Sequence, residues 1–182
     1  MEKPPISKQG PEQKWGEYVE DPGKIYYHGS SGDFELDPDK TDPKFGGELY
    51  VTDHVDRAQK FATGNTGKLH EVNLRLKKVF EFDKPISLDD ANAVLRIAGL
   101  PEIQEWEWSP NHTMGNLHGK LSMGIAEQLK AEGNKDFTSD VINGKVNDIL
   151  REAGYDAVRS PQASLGENVW RVLRKEAFVQ RK

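Results

Sequence analysis

The 182-residue chain contains no cysteine. That excludes disulfides, zinc–thiolate sites and cysteine nucleophiles at a stroke. Long apolar runs are also missing: no stretch approaches the roughly 20 apolar residues that cross a bilayer, so no membrane partner is expected. The opening "MEKPPISKQGPEQKWGEYVEDPG" has no apolar core segment and is not expected to be a secretory signal. A cytoplasmic setting follows as the expectation, in the cell that makes the protein or in one that receives it. An excess of positive charge is absent as well. The formal net charge of −5 argues against a protein that grips nucleic acid through a broad basic face. The five histidines show no metal-like spacing with one another or with acids. His54, His70, His112 and His118 are accordingly expected at the surface or in packing.

What is present is a single domain's worth of sequence. Residues 1–22, rich in Pro, Gly, Lys and Glu, are expected to form an arm, and residues 23–182 one domain. "KIYYHG" reads as a first core strand, since aromatic and β-branched residues favour extended chain, and the Gly-Ser-Ser-Gly that follows breaks it. His28 therefore stands at a strand mouth. "FELDPDKTDPKFGG" is a turn-rich connection and "ELYVT" a second short strand. A helix is predicted in "DHVDRAQKFAT", N-capped by Thr52 or Asp53 and stopped by the glycines of "TGNTGK".

In "LHEVNLRLKKVFEFD", Val72, Leu74 and Leu76 alternate with polar residues, the period of a half-buried strand. Ser87 and Asp90 make a capping pair for a helix in "SLDDANAVLRIAGL". Further helices are predicted from about Leu117 to Ala131 and from Ser139 or Asp140 to Ala153, the latter ended by Gly154. "YDAVRS" reads as a strand and Val169–Leu173 as the last strand, followed by a short basic tail whose charges are expected in solvent. Short strands mixed with helices, without a regular β-α-β rhythm, indicate an α+β fold.

Three features stand in chain order: His28 in "YYHGSS", Tyr50 in "GGELYVT", and Glu167 at the entrance of "ENVWRVL". With "LYVTDHVDRAQKFA", "LHEVNLRLKKVFEFD" and "ILREAGYDAVRS", they give a chain that resembles the ADP-ribosyltransferase superfamily. The likeness is to the diphtheria-toxin-like and poly-ADP-ribose-polymerase-like branch with a His-Tyr-Glu motif, in its compact bacterial or phage-encoded form. It runs from about residue 24 to residue 178.

The resemblance implies a split, strongly bent β core with peripheral helices and NAD in a cleft between two small sheets. His28 would then bond the ribose 2′-hydroxyl on the adenosine side. Gly29 would offer backbone groups to the nicotinamide carboxamide, a role that glycine suits because it allows close approach. Ser30 holds the position where the family often has Ser or Thr. Tyr50 would lie along the nicotinamide, and Phe61, eleven residues on, would stack on the ring's other face. Glu167 would stabilise the oxocarbenium-like charge that builds on the ribose when the nicotinamide bond breaks.

In the family the acid opens a strand reading Glu-aromatic-apolar-apolar, whereas here Trp170 stands three residues after Glu167. Aligning the apolar end instead puts Val169 at the acid position. Gln162, in the loop "SPQASLG" where related enzymes recognise their targets, is the runner-up polar residue.

The implied activity is NAD-dependent mono-ADP-ribosyl transfer to a macromolecular acceptor by a toxin, phage effector or defence effector, a setting in which an antitoxin or immunity partner is implied as well. Acidic charge and compact size favour a protein acceptor over nucleic acid. Two alternatives stand beside it. One is a catalytically silent module that holds NAD or ADP-ribose. The other is a nucleic-acid-directed transferase in which Trp106 and Trp108 hold bases. In a strand these two would face the same way; burial at the core edge is the commoner fate of tryptophan.

Overall fold

The computed structural model describes residues 23–32, 35–38, 49–134, 138–162 and 167–181, with the side chains of Pro161, Gln162 and Glu167 outside that description. The arm expected at residues 1–22 lies outside the described residues.

Seven strands form one curled sheet in the order β4-β5-β6-β2-β1-β3-β7. They are β1 (Tyr26–Ser30), β2 (Leu49–Thr52), β3 (Lys68–Leu74), β4 (Val79–Glu81), β5 (Ala157–Gln162), β6 (Glu167–Val172) and β7 (Phe178–Gln180). Every neighbouring pair is antiparallel except β4 and β5, which run parallel. Four helices accompany the sheet among the described residues: α1 (Val55–Gln59), α2 (Leu88–Ile97), α3 (Met114–Ala131) and α4 (Ser139–Glu152). This is the bent β core of an α+β fold. No described helix is long and apolar enough to cross a membrane.

The two faces of the sheet are buried by different means. On one face Tyr26, Leu49, Val51, Val72, Val79 and Trp170 close on one another and on loop residues such as Leu36 and Leu76, with no residue of α1, α2, α3 or α4 in the cluster. Burial there comes from the curl itself: strands at opposite ends of the sheet supply the cover. On the other face Phe80 and Val158 pack under α2, α3 and α4. Helix α3 presents Met114, Leu117, Leu121, Ile125 and Leu129 at spacings of three and four, all buried. Each such side chain contributes about 1.5–3 kcal/mol. Strand alternation sorts neighbours onto the two faces, as with Ala157 on the curled side and Val158 on the helical side.

Local signals act as the sequence suggests at α2, where Ser87 Oγ accepts from the Asp90 N–H and donates to the Asp90 carboxylate. Helix α3 begins at Met114, three residues before the expected start, because Thr113 and Asn116 form a reciprocal cap. Helix α1 departs from expectation. Its cap position is His54, with no side-chain cap, while Thr52 Oγ1 accepts the His54 N–H, and the helix ends at Gln59. The terminal segment departs too. Beyond β6 the basic tail turns through a 3₁₀ segment, Lys175–Ala177, and pairs with β3 as a seventh strand. Two of its cations have acidic partners: Lys175 bonds Asp37 at 3.3 Å, and Arg174 lies 3.7 Å from Asp156.

Candidate active site

The strands that carry His28, Tyr50 and Glu167 are successive neighbours: β1, β2 and β6. β1 pairs along its whole length with β3, from Tyr26↔Val72 to Ser30↔Lys68, but meets β2 only at Tyr27↔Thr52. Beyond Tyr27 the two strands part. The closed end of this split is held by Lys24, which bonds Asp53 at 2.8 Å and lies over the Tyr26 and Trp170 rings.

His28 sits at the split. Its Nδ1 lies 2.7 Å from the Tyr50 carbonyl oxygen. A carbonyl only accepts, so Nδ1 carries the proton and Nε2 of the neutral ring is left as an acceptor. Burial lowers the pKa of this imidazole, the neighbouring His70 adds to the lowering, and the bond to Tyr50 opposes them without winning. The ring is therefore neutral at physiological pH and presents a lone pair suited to a hydroxyl.

Behind it runs a buried polar chain. Gln180 lies 3.0 Å from His70 Nδ1, His70 Nε2 lies 2.8 Å from Ser30 Oγ, and Ser30 Oγ donates to the Gly32 carbonyl. A consistent assignment has Gln180 donating to His70 and His70 donating to Ser30. Ser30 is only 5% exposed, so its hydroxyl shapes the Gly-Ser-Ser-Gly turn from within. His70, expected at the surface or in packing, is the buried centre of this chain.

The pairing Tyr27↔Thr52 places those two residues on one face, and alternation adds Gly29 and Tyr50 to it, while His28 and Ser30 fall on the other. Gly29 is bare for a reason local to the fold. A Cβ there would stand 1.8 Å from the Ala58 carbonyl oxygen and 2.9 Å from the Ala62 nitrogen. Its Cα face is thus taken by the α1 turn, and what Gly29 has to offer a ligand is its backbone. Phe61 follows directly on that turn and is 60% exposed, with no ring contact to another described residue.

Tyr50 is 41% exposed. The Arg171 guanidinium lies 5.8 Å from its ring centroid, and Arg171 Nη1 donates to Asn147 Oδ1 on α4 at 2.9 Å. His118 on α3 stands near the same cation. Burial, reinforced by Arg171, lowers its pKa to about 4. Glu167 opens β6 opposite Gln162, two residues before Val169, which pairs with Thr52; the side chains of Glu167 and Gln162 lie outside the described residues. Arg171 and Asn147 were not singled out from the sequence. The available signals were a cation alternating with the apolar residues of "NVWRVL" and an amide beside Val146 on the buried face of α4.

The tryptophan segment folds as a 3₁₀ turn, Glu105–Glu107, instead of a strand, so its two indoles part company. Trp108 stacks on His112 at 4.5 Å and lines a cleft of about 230 Å³ with Glu107, Leu117 and Lys120. Trp106 is 82% exposed. No group of three or more potential metal-ligating side chains occurs among the described residues. Searches against protein-family models, curated proteins and solved structures return no match for this chain.

Proposed function

We propose that the protein is an NAD-dependent mono-ADP-ribosyltransferase. The observation that carries this reading is His28: a neutral imidazole at the mouth of the β1–β2 split, its tautomer set by the Tyr50 carbonyl so that Nε2 accepts. A hydroxyl-bearing ligand fits that acceptor. A planar ring fits the opposite face of the sheet, reached through the mouth of the split, where two aromatic side chains, Tyr50 and Phe61, remain substantially exposed around a glycine that contributes only backbone. A ribose joined to nicotinamide combines both features.

Bound NAD would supply the ADP-ribosyl group, with nicotinamide as the leaving group and the acceptor losing a proton as its new bond forms. In that arrangement His28 Nε2 accepts from a ribose hydroxyl and fixes the sugar. Tyr50 and Phe61 hold the departing ring, and backbone groups of Gly29 meet its carboxamide. Glu167, from the third strand of the site, stabilises positive charge on the ribose carbon as the glycosidic bond lengthens. A carboxylate beside developing charge acts most strongly where water is thin, and the α1 turn seated on Gly29 narrows that side of the split.

The test is nicotinamide release and ADP-ribose attachment, followed by mass, with purified protein, NAD and a cell lysate. His28→Ala and Glu167→Gln run alongside. Release by the wild type that falls at least about hundredfold in both variants supports the assignment. Binding of NAD without release from any lysate fraction replaces it with a silent NAD-holding module. Absence of NAD binding overturns it.

A further inference from the structure

Resting on that reading, we propose that Arg171 is a positioning residue: anchored by the buried amide of Asn147, it holds the Tyr50 ring in the plane against which the nicotinamide lies. Tyr50 and Arg171 are direct partners across β2 and β6, so their side chains leave the sheet together on the helical face. The guanidinium carbon lies 5.8 Å from the ring centroid, within the range at which a cation is drawn to an aromatic face.

The anchor is what raises this above a surface contact. Asn147 is 5% exposed on α4, between Val146 and Leu150 in the chain and among residues buried against the sheet. A buried amide at such a position weakens the core unless its polar atoms are satisfied. Here Asn147 Oδ1 accepts from Arg171 Nη1 at 2.9 Å, so the helix fixes a guanidinium whose central carbon lies 5.8 Å from the ring centroid. His118, from α3, faces the same cation as a neutral ring and does not compete for the aromatic face. Tying the neighbour of the Tyr50 ring to the helical layer limits the ring's rotamers before any ligand arrives, which is preorganisation.

The experiment is a double-mutant cycle on NAD affinity, by calorimetric titration, with Tyr50→Leu, Arg171→Met and the double variant. Arg171→Lys and Asn147→Leu are added, and thermal melts identify any variant that fails to fold. If ring and cation act as one unit, each single change weakens binding about tenfold and the double loses little more. Arg171→Lys then recovers part of the loss, and Asn147→Leu reproduces part of it without being at the proposed ligand surface. Losses that multiply to about hundredfold in the double variant overturn the proposal.

A second readout needs no ligand: the Tyr50 ring resonances of the free protein, by NMR. Movement of these resonances in both Arg171→Met and Asn147→Leu supports the positioning. Unchanged resonances in either folded variant overturn it. A wild type that fails to bind NAD removes the functional reading alone, because the resonance comparison still decides whether Arg171 holds the ring.

Discussion

Two imidazoles near the site show how position sets chemistry for one residue type. His28 keeps a polar partner and an acceptor nitrogen, whereas His118 is wedged beside Phe80 and Phe82, with ring centroids 6.3 and 4.8 Å away, and its buried Nε2 has no hydrogen-bond partner among the described residues. Charging His118 in the folded protein means putting a cation into that setting beside Arg171, hence its pKa of about 4 against 6.5 for the free group. The folded value lies below the unfolded one, so the unfolded chain binds the extra proton first. The stabilisation is fully present above pH 6.5 and is lost as pH falls towards 4. The loss from this residue reaches about 3 kcal/mol. His118→Leu keeps the apolar contacts and removes the proton site, so its urea midpoint should fall less than that of the wild type between pH 7 and pH 4.5. Parallel declines in the two proteins would show that His118 does not set this dependence. His28 shifts in the same direction and adds to the slope at the upper end of the range.

At the scale of elements, α1 makes its closest approach to β1 at Gly29. A five-residue helix without a side-chain cap has little stability of its own, and it persists because Gly29 lets Ala58 and Ala62 sit directly on the strand. Gly29→Ala should therefore act through the helix. The obstructing atoms are backbone, which cannot swing aside, so α1 must lift and carry Phe61 with it. The expected cost is about 1–3 kcal/mol, read as a lowered melting temperature. Faster amide exchange confined to residues 55–63 should accompany it. An unchanged melt with unchanged exchange would mean that α1 is held by other contacts.

Across the whole molecule, the curled face is closed by strands and the helical face by α2, α3 and α4, which places the tryptophan cleft on the helical layer. Trp106 is prominently exposed on that layer, and exposed tryptophans beside a cleft often anchor partners. If the acceptor macromolecule docks there, Trp106→Ala should reduce its labelling at least about fivefold, the loss typical of a tryptophan anchor. Nicotinamide release with NAD alone should stay at the wild-type rate, because Trp106 takes no part in holding NAD. Equal loss of both activities would place Trp106 in the fold or at the NAD site. Labelling that survives intact would move acceptor recognition elsewhere.

The sequence by itself determined the α+β class and nearly every element, because these rest on local physics. Alternation marked Val72 and Leu74, and the Ser87–Asp90 pair marked the start of α2. It also ordered His28, Tyr50 and Glu167 along the chain, though not in space. Only the tertiary structure decided that their strands are neighbours, that β1 and β2 part beyond Tyr27, and that the His28 ring turns its Nδ1 to the Tyr50 carbonyl. The same holds for β7, whose three residues gain their ladder only from β3, more than a hundred positions earlier. Gly29, Asn147 and Arg171 show the reason most directly. Each answers to a residue distant in sequence — Ala58 for the first, and one another for the other two — and no local pattern encodes contacts that exist only once the sheet has curled and the helices have settled on it.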